Sequence, residues 1–280
     1  MKRITSGIAS RRRLLAGLAA LPFAAPALSC AQGGGDQGAR PGGRTDLDFA
    51  GWLEAWDAVL RRRVDAEGRV DFAGLAAAPG PMPEVTRFIA TVDPRSRPDL
   101  FPTAAERMSY YLNAYNALAM GGIVARGIPD SLGLVGRYAF FVNTDFQVGG
   151  RGISLKALED KVIRPLGEER VHFALNCMVR GCPRLPREAF RPATLEAQLA
   201  AAAREFCGSG YQVRPDPASR SVFISQIFEF YASDFLARAP SLLAYVNRWR
   251  AQPVPEDATP RFFPYDWTIN KQPGQARATG

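Results

Sequence analysis

The segment that most constrains the fold begins at Thr103. Pro102 ends the preceding segment, and Thr103 and Glu106 have the spacing of a capping box, in which each side chain hydrogen-bonds the other residue's backbone. Apolar residues then follow one helical face as far as Gly122. This pattern predicts a buried helix near the centre of the fold.

Two asparagines, Asn113 and Asn116, lie on the core side of this helix. A buried amide whose hydrogen bonds are unmet costs about 1–3 kcal/mol, so each needs specific partners. The favoured interpretation is that they fasten the backbone of a neighbouring loop. The alternative is that they orient a catalytic group.

The other segments mix helical and extended patterns without a regular strand–helix repeat. Helices are predicted at 46–63, 155–164, 194–206, 226–236 and 241–249, hairpins within 140–154 and 211–224, and a short buried strand at 171–175. Glu159 and Asp160 are expected on a solvated helix face. The mixture favours an α+β fold, a single globular domain with helices packed around small antiparallel hairpins or a mixed sheet.

Residues 1–31 are predicted to be a cleavable export signal of the twin-arginine type. Arg11, Arg12 and Arg13 precede an apolar run of 15 residues that contains two prolines, whereas a membrane-spanning helix needs about 20 apolar residues. Five of the basic residues lie in this leader, so the net charge of +8 falls to +3 without it. Nucleic acid is therefore not an expected partner.

Two processing outcomes remain open. The segment before Cys30 resembles a degenerate lipoprotein box, which would tether the protein to a membrane, but a signal-peptidase site that leaves Gln32 first fits as well. Residues 32–45 read as a flexible linker, 46–270 as the folded domain and 271–280 as a disordered tail. In either case we expect a periplasmic protein, in a compartment where thiols tend to form disulfides.

The stretch 170–185, RVHFALNCMVRGCPRL, holds the only histidine, His172, and two of the four cysteines, Cys177 and Cys182. A cysteine nucleophile needs its thiolate, often from a base about 3 Å away. If the segment is a strand, His172 and Cys177 lie about 16 Å apart on opposite faces. Two arrangements could still supply a thiolate. Either the turn folds Cys182 back toward His172, or Arg180 and backbone amides stabilise the thiolate of Cys177.

Three chemical roles for the cysteines stay open. A Cys177–Cys182 disulfide suits the compartment, with Cys207 as a competing partner. Reactive thiols are the second role. A metal site would use His172 with the three cysteines, but their spacing is not typical of zinc, so no cofactor is predicted and zinc is not favoured. Arg180, Arg184 and Tyr115 are candidates for binding an anionic substrate, although a solvated loop explains the arginines equally simply.

The chain resembles the bacterial, exported branch of the family called domain of unknown function 547. The segments that carry the resemblance occur in the family's order and are 111–117, 146–155, 171–183, 224–235 and 264–270. The family's activity is undefined, so the resemblance implies a domain but no reaction. It also implies a special place for Cys177, which plant relatives keep, and a departure at Asp160, where the family commonly has histidine.

Two functions follow as hypotheses. The first is a cysteine-dependent hydrolase or acyl/peptidyl transferase acting on envelope material, with Cys177 as nucleophile, His172 as base or acid, and Asn113 or Asn116 fixing orientation. The second is a non-catalytic periplasmic binding or scaffold protein with a structural Cys177–Cys182 disulfide. Its protein partner would bind in a cleft lined by the aromatic segments.

Overall fold

The computed structural model describes residues 47–274. The predicted export signal, the lipidation of Cys30, the linker 32–45 and the last six residues of the tail lie outside the described residues. No helix within 47–274 is long and apolar enough to cross a membrane.

The first part of the domain is mainly helical. Its elements are α1 (Phe49–Arg63), α2 (Phe72–Ala77), α3 (Met82–Thr91), α4 (Ala104–Ala125), α5 (Leu134–Phe141), the hairpin β1 (Phe146–Val148) with β2 (Arg151–Ile153), and α6 (Leu155–Leu158). The capping box of Thr103 and Glu106 is confirmed at the start of α4. Helix α4 is the predicted central helix, since every residue from Met108 to Met120 is buried.

The second part combines helices with a three-stranded sheet. Its elements are α7 (Leu195–Gly208), β3 (Val213–Asp216), β4 (Ser221–Ser225), α8 (Ile227–Phe230), α9 (Ala232–Leu236), α10 (Leu242–Asn247) and β5 (Thr259–Phe263). Strand β4 pairs with β3 antiparallel and with β5 parallel. The fold is therefore α+β, as the sequence predicted.

Two hydrophobic clusters form the interior. The larger packs α1, α3 and α4 around residues such as Trp52, Trp56 and Phe88, and the indole of Trp52 donates a hydrogen bond to the carbonyl of Val85. The smaller joins Phe173 to the aromatic faces of α7, α8 and α9, including Phe228. Because Phe173 follows His172 directly, this packing fixes the backbone next to the only imidazole.

The predicted strand at 171–175 is wrong. Residues Glu169–Phe173 form a 3-10 helix, and the side chain of Glu168 accepts a hydrogen bond from the backbone N–H of Arg170 at its start. Arg170 in turn pairs with Glu168 and Glu196. These local ion pairs hold a helical turn, and no described strand pairs with the segment.

Three other boundaries differ from the prediction. Phe140 lies in α5, a helix that the hairpin pattern concealed. The helix capped by Ser154 continues as a π-helical turn, Glu159–Ile163. The helix predicted at 226–236 is broken at Tyr231, which lies outside the helical region of backbone angles and separates α8 from α9.

The aromatic C-terminal segment is bound to the body, as predicted. Ile269 bridges Val179, and Thr268 bridges Ser131. Lys271 also pairs with Val70, in the segment that follows α1.

Candidate active site

A pocket of about 540 Å³ contains the cysteine pair. This volume lies in the range typical of small-molecule sites. Its walls come from α4, α5, α6 with its π-helical turn, the loop around the cysteines, α8 and the C-terminal segment. Seven aromatic residues contribute, namely Tyr115, Tyr138, Phe141, Phe230, Tyr231, Tyr265 and Trp267.

Asn116 fastens the loop that carries Cys177. Its amide donates to the carbonyl of Ala174 (3.0 Å) and its oxygen accepts from the backbone N–H of Asn176 (2.8 Å). Asn113 does the same for another loop, accepting from the N–H of Phe190 (3.0 Å) and donating to its carbonyl (2.8 Å). Both amides hold backbone, the interpretation that the sequence favoured, and neither lines the pocket.

The turn after Asn176 brings the two thiols together. Asn176 accepts from the N–H of Met178 (2.7 Å) and donates to the carbonyl of Pro183 (2.7 Å). Met178 has a φ of 65°, a left-handed conformation that a non-glycine residue adopts at some cost. This closed turn places the Sγ atoms of Cys177 and Cys182 2.6 Å apart, and both are free thiols, so the predicted disulfide is not formed in the structure.

Hydrogen-bond donors converge on the sulfur of Cys182 rather than on that of Cys177. The backbone N–H of Cys177 donates to Cys182 Sγ (3.0 Å), and the hydroxyl of Tyr265 donates to the same atom (3.2 Å). The distance from the Tyr265 hydroxyl to Cys177 Sγ is longer, 3.6 Å. A sulfur that receives several donors is stabilised as the thiolate.

The pKa values of the two thiols move in opposite directions. The hydrogen bond with Cys182 and then burial raise the pKa of Cys177. Burial alone would raise the pKa of Cys182, but the hydrogen bonds from Cys177, Tyr265 and backbone amides together outweigh it and lower that pKa. The pair therefore favours a thiolate at Cys182, whereas the sequence singled out Cys177 as the nucleophile.

His172 is oriented by Asp234, not by a thiol. Its Nε2 lies 2.9 Å from Asp234 Oδ2, and its ring stacks on Tyr231 with a centroid distance of 3.8 Å. Burial lowers the pKa of His172 to about 4, although Asp234 opposes that shift. The neutral ring thus donates Nε2–H to the carboxylate, and Nδ1 has no partner among the described residues.

No hydrogen bond between His172 and either thiol occurs within residues 47–274. The predicted dyad of His172 with Cys177 is therefore not assembled by direct contact, although all three side chains line the pocket. The physical reason is Asp234, which is itself held by Arg164 (2.9 Å) and fixes the imidazole on the side of α9.

Glu159 is buried in the pocket wall, so the predicted solvated face is wrong for this residue. The π-helical turn rotates it inward. Burial raises the pKa of Glu159, while the hydroxyl of Tyr231 hydrogen-bonds the carboxylate and acts in the opposite direction. Asp160, where the resemblance leads one to expect histidine, instead pairs with Lys156 and Arg164.

The arginines proposed for substrate binding lie elsewhere. Arg184 pairs with Glu205 on the surface, and the exposed Arg180 is fixed through its backbone N–H to the carbonyl of Thr268 (2.9 Å). Neither lines the pocket, but Tyr115 does. The cations that line it are Arg137, Lys156 and Arg164, which sequence reasoning missed. The spacing of Leu134, Tyr138 and Phe141 around Arg137 was the available signal.

Tyr265 is a further pocket residue to which sequence reasoning gave no role. Its ring packs against Gly181, where a Cβ atom would lie 2.9 Å from the ring carbons. Glycine in the turn between the cysteines thus lets a distant tyrosine reach both sulfurs. The sequence shows the glycine and the aromatic tail, but not that they meet.

Cys207 takes no part in this site. It is buried in the smaller hydrophobic cluster, and burial raises its pKa. The competing disulfides and the four-ligand metal site are therefore not brought together. Across the described part of the chain, no group of three or more His, Cys, Asp or Glu side chains is placed to hold a metal ion.

Fold and site together define an α+β protein with two free thiols in an aromatic pocket. Residues 101–207 match the family described as "Protein of unknown function, DUF547", which confirms the resemblance over that part of the chain. The match contains α4, the β1–β2 hairpin, both pocket cysteines and all but the last residue of α7, whereas Tyr231, Asp234 and Tyr265 lie beyond it. Comparison with curated proteins and with solved structures found no match.

Proposed function

We propose that this protein is a cysteine-dependent hydrolase or acyl/peptidyl transferase that acts on envelope material, with Cys182 as its nucleophile. The observation that carries the proposal is the convergence of the Cys177 N–H and the Tyr265 hydroxyl on Cys182 Sγ. Donors aimed at a buried sulfur favour the anion, which is the reactive form of a thiol. Export and attachment through Cys30 stay predictions of the leader sequence.

The first step is attack of the Cys182 thiolate on the carbonyl carbon of an ester or amide. The carbon–sulfur bond forms as the bond to the leaving group breaks, and the leaving group takes a proton from the Cys177 thiol, the acid nearest to the reacting sulfur. Solvent then reprotonates Cys177. Water or an acceptor amine attacks the thioester, losing its proton to solvent or to a pocket base, and Cys182 returns as the thiolate.

His172 and Glu159 are the candidate bases for the second step. The neutral imidazole has a free lone pair on Nδ1, and the carboxylate of Glu159 lines the same pocket. Asn113 and Asn116 contribute by holding loops, so we assign them a positioning role and not contact with substrate.

The test is acylation by p-nitrophenyl butyrate, followed by stopped-flow absorbance and intact-mass analysis. We expect a burst of one acyl group per chain, mapped to Cys182, in the native protein and in Cys177→Ser. Cys182→Ser should show no burst while keeping its near-ultraviolet circular dichroism. An acyl group mapped to Cys177, or a burst that survives Cys182→Ser, would overturn the assignment.

A second candidate function, thiol–disulfide exchange, is favoured by the 2.6 Å distance between the two sulfurs. Cys182 would attack a disulfide of a substrate protein and release one thiol. Cys177 would then lose its proton to solvent and attack Cys182 Sγ, releasing the second thiol. The pair is oxidised by two electrons, the substrate is reduced by two, and a dithiol donor must restore the pair.

Incubation with an excess of oxidised glutathione separates these functions. Exchange predicts rapid loss of two hydrogen atoms from the intact mass, with the new bond mapped to Cys177 and Cys182. Resistance to oxidation excludes exchange. If the protein neither acylates nor exchanges, the non-catalytic binding function is supported instead.

A further inference from the structure

We infer that the pocket receives an amphipathic anion, whose charged group pairs with Arg137 and whose apolar body lies along α5. This inference names the substrate class of the proposed thiol site and rests on that proposal. Two observations support it independently of the thiols: Arg137 differs from the other pocket cations in its ion pairs, and the apolar side chains beside it are exposed.

Arg137 is the pocket cation that lacks a carboxylate partner among the described residues. Arg164 pairs with Asp160 and Asp234, and Lys156 pairs with Asp160. The guanidinium of Arg137 instead lies 4.3 Å from the centroid of the Trp267 ring, and its inaccessible Nε has no hydrogen-bond partner within residues 47–274.

Stacking on Trp267 holds the guanidinium in place without using its N–H donors. A planar guanidinium has five such donors and matches a carboxylate, phosphate or sulfonate with two parallel hydrogen bonds. The shielded Nε–H has no acceptor within residues 47–274, and the terminal N–H groups of the guanidinium are the donors that a bound anion would meet. The arrangement is therefore prepared for an anion before one arrives.

The rim beside Arg137 is apolar and exposed. Leu134 and Tyr138, on the same helix, are 76% and 60% exposed, and Phe230 across the pocket is 49% exposed. Exposed apolar side chains that cluster at the edge of a cavity are typical of binding surfaces. They fit the apolar body of a ligand better than a fully polar sugar or peptide.

A continuous row of side chains links Arg137 to the reactive sulfur. Trp267 packs on Tyr265 with ring centroids 4.8 Å apart, and the hydroxyl of Tyr265 bonds Cys182 Sγ. An anion paired with Arg137 would thus bind at one end of the row, with Cys182 at the other. A ligand with its charge at one end and its reactive carbonyl further along would span the two.

The test uses two fluorescent probes that share an apolar body. 8-Anilinonaphthalene-1-sulfonate carries one negative charge, and N-phenyl-1-naphthylamine carries none. We expect Arg137→Gln to weaken sulfonate binding roughly ten- to a hundredfold, the size of a lost charge-assisted hydrogen bond, and to change binding of the neutral probe less than about twofold. Arg204→Gln removes a charge from an exposed position on α7 and should change neither.

Occupancy of this pocket is verified by protection of the thiol. The sulfonate should slow alkylation of Cys182 by iodoacetamide in the native protein and not in Arg137→Gln. Equal affinities for the sulfonate in both proteins, or equal losses for both probes, would overturn the inference. If Cys182 is acylated but Arg137→Gln does not change sulfonate binding, the anion site is rejected and the proposed enzyme stands. If Arg137→Gln weakens sulfonate binding but Cys182 is not acylated, the proposed enzyme is rejected and the anion site stands.

Discussion

The two pocket cysteines differ because of the atoms that face each sulfur. They lie five residues apart and share one turn, yet the backbone N–H of Cys177 points at the sulfur of Cys182, whereas the backbone N–H of Cys182 donates to the carbonyl of Val179. Composition and spacing give both residues the same chemical options. The direction of one amide and the arrival of Tyr265 decide between them, and neither can be deduced from the order of residues in the turn.

Replacing Tyr265 with phenylalanine tests the hydroxyl at that sulfur. The ring and its packing on Gly181 and Trp267 are kept, but the donor to Cys182 is lost. We expect the pKa of Cys182 to rise, because the Tyr265 hydroxyl is one of the hydrogen-bond donors that lower it. Ultraviolet thiolate absorbance against pH measures the shift. Tyr138→Phe, at the exposed rim, is the matched control, and equal titrations of the two variants would contradict the assignment.

His172 is the only imidazole in the chain, so its titration can be followed by NMR without assignment. Burial lowers its pKa to about 4, and we expect a midpoint near that value. A midpoint above 6 would show that the imidazole is not held as the structure has it.

The same group affects stability in a defined direction. Between pH 6.5 and about 4 the unfolded chain binds a proton at His172 that the folded protein does not, so this residue lowers stability as the pH falls, by up to about 1.4 kcal/mol per pH unit. Burial raises the pKa of Glu159, which acts in the opposite sense. The difference between native protein and His172→Gln in urea unfolding isolates the histidine. Parallel curves for the two proteins would be inconsistent with the lowered pKa.

The elements around the site fasten the cysteine loop from two sides. Helix α4 holds the residues before Cys177 through Asn116, and the C-terminal segment pairs with Val179 through Ile269. The helix and its asparagines were predictable from the sequence because capping and helical periodicity are local. The 3-10 turn at His172, the π-helical turn at Glu159 and the contact with the tail depend on ion pairs and long-range pairing, which local patterns do not contain.

Asn116→Leu should destabilise the domain. The substitution leaves the buried N–H of Asn176 and the carbonyl of Ala174 without a partner, at about 1–3 kcal/mol each. Urea unfolding should show that the free energy of unfolding falls by about 2–5 kcal/mol. As the loop loosens, Cys177 and Cys182 should react with alkylating reagents at more similar rates. A loss below about 0.5 kcal/mol would mean that the amide does not fasten the loop.

Gly181→Ala tests the contact between the loop and the tail. The added methyl group would lie 2.9 Å from the Tyr265 ring, so the ring must move away from the sulfurs. We expect the Cys182 titration to resemble that of Tyr265→Phe. Gly208→Ala has open space around the new methyl group and serves as control. If Cys182 titrates in Gly181→Ala as it does in the native protein, the Tyr265 ring can shift without losing its hydrogen bond to the sulfur.

At the scale of the molecule, the pocket combines residues that are far apart in the chain. Helix α4 supplies Tyr115, the loop around the cysteines supplies both thiols, and the C-terminal segment supplies Tyr265. The family match ends before the C-terminal segment. The α+β class and the region of the site followed from sequence patterns and from the resemblance. Three features required the assembled chain: which thiol is favoured as the thiolate, the inward position of Glu159, and the lack of a carboxylate partner for Arg137 among residues 47–274.

The most direct test of the account is the order in which the cysteines react. The native protein is treated at pH 7 with a limiting amount of iodoacetamide, and the modified residues are mapped by peptide mass spectrometry. We predict that Cys182 is labelled first, Cys177 later and Cys207 only after unfolding. The lowered pKa favours the thiolate at Cys182, which lines the pocket, whereas Cys207 lies in the smaller hydrophobic cluster away from the pocket and has a raised pKa. Labelling of Cys177 before Cys182 would contradict the assignment of Cys182 as the reactive thiol.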